Sequence, residues 1–165
     1  MRLKHKKVAA TKVRLAPHGA DRIRIAIIRA EYNNEITQSL REKCEWTLIE
    51  NGVPAAHIDH YSVPGCFEIP LIAQKLAAQQ RYDAFIALGA VIRGDTHHFE
   101  LVANGCARGV MEVSLKHGVP IIFEVLATYN RRDALRRAGD NSSNKGVEAA
   151  EAALSMLAAL GKLEK

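Results

Sequence analysis

The sequence predicts a three-layer α/β/α sandwich on a four-stranded parallel sheet. Three observations carry this reading. Four short apolar runs alternate with longer helical stretches, three of the runs are almost unbroken in apolar character, and each run ends in a polar or irregular segment. Continuous apolar strands are those covered on both faces. Strands that alternate with helices imply right-handed crossovers and a parallel sheet.

The first strand is read over residues 23–29 (IRIAIIR) and the first helix over 35–51, where Ile36, Leu40 and Cys44 recur at four-residue spacing, Thr47 and Leu48 continue the stripe, and Gly52 ends it. A second strand, 58–63, leads to a helix over 68–80 with Pro70 in its first turn, where a missing N–H costs nothing. The third strand, 84–92 (AFIALGAVI), precedes a long helix over 98–117 carrying Leu101, Val102, Cys106, Val110 and Val113 and stopped by Gly118 and Pro120. The fourth strand is expected over 119–127, followed by helices over 130–138 and 145–160. Four strands and five helices in this order make a small domain of flavodoxin-like type. Its open sheet edges and alanine-rich helices point to burial against sister subunits.

Length and composition agree with one such domain. The chain has 165 residues, 48% of them hydrophobic but only 5% aromatic, so aliphatic side chains and alanine must fill the core. At this size about two thirds of the unfolded surface is buried. Of the 23 basic residues, six (Arg2, Lys4, Lys6, Lys7, Lys12 and Arg14) fall in residues 1–14 without any acid. The rest of the chain is therefore nearly neutral against 18 acidic residues. A charge run of this kind is usually solvated, so no nucleic-acid partner is expected. The domain is accordingly read as a basic arm, 1–14, followed by a single unit, 15–165. Cys44, Cys66 and Cys106 are odd in number and lack C-x-x-C spacing, so neither a disulfide framework nor a zinc site is indicated. The basic start is not followed by the apolar stretch of a signal peptide, and no run is long enough to span a bilayer. The expectation is a cytoplasmic protein with no membrane partner.

Ligands of open α/β sheets bind beyond the carboxyl ends of the strands. Those ends read Glu31-Tyr32-Asn33-Asn34, Pro64-Gly65-Cys66-Phe67-Glu68, Arg93-Gly94-Asp95-Thr96-His97-His98 and Thr128-Tyr129-Asn130, and all four are expected on one rim. Gly94 to His98 opens a helix, whose free amides and dipole favour an anion, with Thr96 adding a hydroxyl. Asp95 or Thr96 is equally suited to cap that helix. His97 and His98 diverge by about 100° on a helix, so they do not share a metal. Either is suited to proton transfer near neutral pH, and either could be merely exposed. His57 and His60, on a strand pattern, are read as structural or surface residues.

Tyr32 offers a flat face to a heterocycle and Asn33 a donor–acceptor amide. Glu68 is placed to accept hydroxyl hydrogen bonds, or to sit on a helix dipole. Arg137 and Lys145 are candidate phosphate cations, yet Arg131, Arg132 and Arg136 stand nearby and spacing does not choose among them. The chain lacks G-x-G-x-x-G, the P-loop and a glycine- and hydroxyl-rich loop after the first strand, which argues against nucleotide cofactors.

Five segments, VPGCFEIP (63–70), GAVIRGDTHHFE (89–100), VPIIFEVLAT (119–128), RRAG (136–139) and NKGVEAA (144–150), occur together and in order. As a set they resemble the lumazine synthases of riboflavin biosynthesis, and the resemblance covers about residues 23–160. It implies condensation of 5-amino-6-(D-ribitylamino)uracil with 3,4-dihydroxy-2-butanone 4-phosphate to 6,7-dimethyl-8-ribityllumazine, phosphate and water. Imine formation, phosphate elimination and ring closure need proton transfers and no metal or organic cofactor.

By the same resemblance Tyr32 stacks on the pyrimidine, with Asn33 beside it, and Ala90, Val91 and Ile92 line that ring. Cys66, Phe67 and Glu68 hold the ribityl chain. Asp95 and Thr96 form the phosphate site, and His98 rather than His97 transfers protons. Phe123 and Arg137 reach in from a neighbouring subunit, Arg137 onto phosphate, with Lys145 near it. The family's homopentamers stay free, pair into decamers or close into icosahedral sixty-subunit shells, and riboflavin synthase is a further partner the resemblance admits. Tyr32 departs from the commoner Phe or Trp, Ala90 from a frequent Thr, and residues 140–143 from a segment that often carries a lysine. An alternative within the family is a poorly active flavin- or lumazine-binding or shell-forming member. A third reading is an unrelated flavodoxin-like module, which the missing phosphate loop disfavours.

Overall fold

The structure, a computed structural model, describes residues 19–163. The basic arm over 1–14, and the start of the domain expected from residue 15, lie outside the described residues.

β1 (Ile25–Ala30) shows how the layers arise. Ile25 and Ile27 point into one helical layer, while Ala26, Ile28 and Ala30 point into the other. This is the two-residue alternation of a strand, with both faces apolar and buried. β2 (Ile58–Val63) and β3 (Ala84–Ile92) flank it, and β4 (Ile121–Thr128) lies beyond β3. The sheet is parallel throughout, in the order β2-β1-β3-β4.

One face carries α1 (Asn34–Glu50), α4 (Arg131–Arg137) and α5 (Lys145–Leu163), packed through Ile36, Leu40, Leu48, Ala134 and Leu154. The other carries α2 (Ile69–Ala77) and α3 (His98–His117), packed through Ile69, Ala73, Cys106 and Val110. Burying each Ile or Leu of this kind contributes about 1.5–3 kcal/mol. Gly118, with φ 62°, ends α3 in the left-handed conformation that glycine tolerates best.

Several boundaries differ from those the pattern suggests. β1 starts at Ile25 because the Arg24 amide donates to the Asp83 carboxylate at 2.7 Å. β4 starts at Ile121 because Pro120 has no N–H to donate, although its carbonyl accepts from the Phe85 amide at 2.9 Å. α2 stops at Ala77, and three residues later Gln80 turns left-handed with φ 53°. His57 ends a short 3-10 turn (Ala55–His57) rather than lying on a strand, and His60 on β2 faces Glu45 at 3.3 Å.

β4 also departs from the expectation that it is covered on both faces. It is an edge strand, and Phe123 on it is 39% exposed. No helix among the described residues is long and apolar enough to cross a membrane.

The connection leaving β1 runs outward to β2 on one side, and the connection leaving β3 runs to β4 on the other. That reversal leaves a crevice at the carboxyl ends of β1 and β3, where doubly wound sheets bind ligands.

Candidate active site

The crevice is an open pocket of about 710 Å³, lined from the ends of β1, β2 and β3 and the first turns of α3. Backbone bonds tie its walls together. The Glu31 amide donates to the Val63 carbonyl at 2.8 Å and the Tyr32 amide to Pro64 at 3.1 Å, fixing the tail of β1 against that of β2. Asn33 adopts a left-handed conformation, with φ 58° and ψ 46°, tolerable for asparagine at moderate cost. That turn aims its side-chain nitrogen at the Ala90 carbonyl, to which it donates at 2.9 Å. Tyr32 is left 72% exposed over the pocket mouth.

Gly65 allows this crowding, since a Cβ there would lie 3.3 Å from the Tyr32 ring and 3.0 Å from the Glu68 carboxylate. Glu68 folds back so that Oε2 accepts from the Gly65 amide at 2.9 Å, satisfying the 3-10 turn Cys66–Glu68. Its other oxygen is the one left for a ligand. Phe67 lies over Gly105 of α3, where a Cβ would approach the ring to 2.6 Å. Cys66 is packed beneath β3 at Gly89, where a Cβ would meet its sulfur at 2.4 Å. Burial pushes the Cys66 thiol up to about 11 and that of Cys106 up to about 12. Both stay neutral, and Cys66 lines the pocket as a small soft group rather than a nucleophile.

Tyr32, Asn33, Cys66, Phe67, Glu68, Ala90, Val91, Ile92 and His98 thus line one pocket. Asp95, Thr96, Phe123, Arg137 and Lys145 do not; the end of β4 shares the rim, Thr128 lying opposite Ile92, but does not line this pocket. The His97 side chain is 98% exposed and 3.9 Å from Glu100, whereas His98 faces the pocket. The cap of α3 is His97, without a side-chain bond, so neither Asp95 nor Thr96 caps it; the Thr96 hydroxyl instead accepts loosely from the His98 amide at 3.4 Å.

Arg137, the last residue of α4, turns its guanidinium back on the Asp133 carbonyl at 3.1 Å. Lys145 opens α5 and pairs with Glu148. Beside that pair, burial pushes the Glu124 carboxyl up to about 7; Lys145 opposes this and Glu148 adds to it.

The chain matches the family model for 6,7-dimethyl-8-ribityllumazine synthase over residues 22–161. The chain belongs to that family. A 6,7-dimethyl-8-ribityllumazine synthase of Deinococcus deserti is 46% identical to it over 127 residues, 77% of this chain and 81% of the relative. The four-stranded parallel sheet between helical layers is the fold expected of a lumazine synthase, and the chain is an enzyme of the transferase class.

Three pocket residues escaped the sequence reading of the site: Gly65, Leu101 and Val102. Leu101 and Val102 lie three and four positions after His98, the spacing that puts them on its helical face. Their apolar character had assigned them to the core, yet Leu101 is 67% exposed. Among the described residues no group of three His, Cys, Asp or Glu side chains is arranged for a metal ion.

Proposed function

We propose that the β1–β3 pocket is where this lumazine synthase condenses 5-amino-6-(D-ribitylamino)uracil with 3,4-dihydroxy-2-butanone 4-phosphate, releasing phosphate and water and forming 6,7-dimethyl-8-ribityllumazine. The observation that carries the assignment is convergence: an exposed aromatic, an amide, a half-free carboxylate and a histidine from three separated segments line one crevice. The pyrimidine stacks on Tyr32 against Ala90, Val91 and Ile92, with Asn33 at its edge. The ribityl chain runs over Cys66 and Phe67, where the free oxygen of Glu68 accepts from its hydroxyls.

His98 moves protons as the amine adds to the ketone, as phosphate leaves and as the ring closes. The phosphate lies ahead of α3, against the loop amides and the hydroxyl of Thr96 beside Asp95. The two cations absent from the pocket, Arg137 and Lys145, with Phe123 on the edge strand, serve the pocket of an adjacent subunit. The working unit is therefore a homopentamer, alone, paired as a decamer or closed as a sixty-subunit shell. It works in the cytoplasm, with riboflavin synthase downstream as the enzyme that takes its product.

A steady-state assay with both substrates, following the lumazine product optically, tests this reading. Product must form faster than the spontaneous reaction, and His98→Ala must remove most of the acceleration. A protein that assembles but does not accelerate product formation would leave only a ligand-holding role.

A further inference from the structure

Asn144 is a fully buried amide in the connection between α4 and α5. Its Oδ1 accepts from the Gly146 amide at 2.7 Å, which caps α5. A cap requires nothing more, and Asp, Ser or Thr would serve as well. The nitrogen side does something else. Nδ2 donates to the Gly139 carbonyl at 3.0 Å and to the Ser39 hydroxyl at 3.3 Å, while Ser39 donates to the Ala138 carbonyl at 2.6 Å. The two bonds made by Ser39 span about a hundred residues of sequence and tie the end of α4 to α1. α5 is pressed onto the same place, since a Cβ at Gly146 would fall 2.0 Å from the Leu40 carbonyl oxygen.

The residue before Ala138 is Arg137, and the residue after Asn144 is Lys145. Both backbone anchors of the two cations are thus bolted to Ser39 and Leu40, whereas the segment between them, 140–143, is mostly exposed. We propose that Ser39 and Asn144 are positioning residues for phosphate recognition: they hold Arg137 and Lys145 at one separation and direction, so that both reach the phosphomonoester together. This rests on the reading of Arg137 and Lys145 as phosphate cations.

The test compares Ser39→Ala and Asn144→Asp with Arg137→Ala in the assembled full-length protein. Asn144→Asp keeps the cap oxygen and removes both Nδ2 bonds. Ser39→Ala should raise KM for the phosphate substrate about 3–10-fold, the scale of a small misplacement of a binding group. Inhibition by inorganic phosphate should weaken by the same factor. KM for the uracil substrate should stay within about twofold, Tm should fall about 4–8 °C, as for two lost hydrogen bonds, and Ser39→Thr, which keeps the hydroxyl, should restore phosphate KM. Asn144→Asp should move phosphate KM further in the same direction. Unchanged phosphate KM in Ser39→Ala, or an equal rise in both KM values, would reduce the cluster to helix packing while leaving the function intact. If Arg137→Ala itself leaves phosphate KM unchanged, the cation reading and this proposal fall together.

Discussion

The side-chain nitrogen of Asn33 donates to the carbonyl of Ala90 at 2.9 Å, and this one bond bridges the ends of the two strands between which the pocket opens. It depends on a left-handed backbone at Asn33, φ 58°, so conformation and hydrogen bond are two separable contributions.

Asn33→Gly keeps the backbone turn and removes the bond, whereas Asn33→Ala loses both. Each should raise KM for the uracil substrate. Alanine should be the less stable by about 1 kcal/mol, the cost of placing a Cβ in that conformation. Denaturant titration of the two variants measures the difference, and equal stability would show that the turn is not strained.

Gly105→Ala should act on the ligand rather than on the fold. The new methyl would sit 2.6 Å from the Phe67 ring, which is 59% exposed and free to swing aside. KM for the ribityl-bearing substrate should rise several-fold with stability changed by less than about 1 kcal/mol. Gly89→Ala meets the buried Cys66 sulfur at 2.4 Å and has nowhere to move it. That variant should lose about 1–3 kcal/mol of stability, as overpacked cores do, again measured by denaturant titration.

Glu124 gives a pH dependence of known sign. Its carboxyl is raised from 4.5 to about 7 in the fold by burial, so the unfolded chain ionises first as pH rises. Stability from this group is fully present below pH 4.5, is lost between 4.5 and 7, and stays low above. Glu124→Gln should therefore raise Tm at pH 8 and leave it nearly unchanged at pH 4. After discounting for partial solvent exposure, the gain is about 1–2 kcal/mol. A Tm difference that is the same at both pH values would contradict the assignment.

The layers were legible because the pattern reports burial directly. The apolar runs read over 23–29 and 84–92 became the two central strands, the first shifted to 25–30, and Gly52 and Gly118 ended their helices where expected. β4 misled because an edge strand can look as apolar in sequence as a central one. Within the site, residues next to a strand end in sequence were found, since topology carries them to the rim. Leu101 and Val102 were not, because an apolar side chain on a helix reads as core whether it faces protein or an open pocket. Cap chemistry at α3 was also unreadable, as Asp95, Thr96 and His97 all precede the first turn and only the backbone path chooses among them.

His97 and His98 should separate cleanly. His98→Ala is expected to lower kcat about 10²–10⁴-fold, the range of a general acid–base, and His97→Ala less than about twofold. Single-turnover kinetics on both variants check this, and comparable losses would mean that the pocket-facing position is not what matters.

In the proposed site, His98 comes from one subunit and Arg137 from the next. Dissociated His98→Ala and Arg137→Ala proteins, reassembled together and assayed below the KM for the phosphate substrate, test it most directly. About a quarter of the interfaces in a random mixture combine two intact contributions, so activity should recover toward about a quarter of the wild-type rate. No recovery in oligomers shown to contain both variants would place His98 and Arg137 in one subunit's site and contradict the shared arrangement.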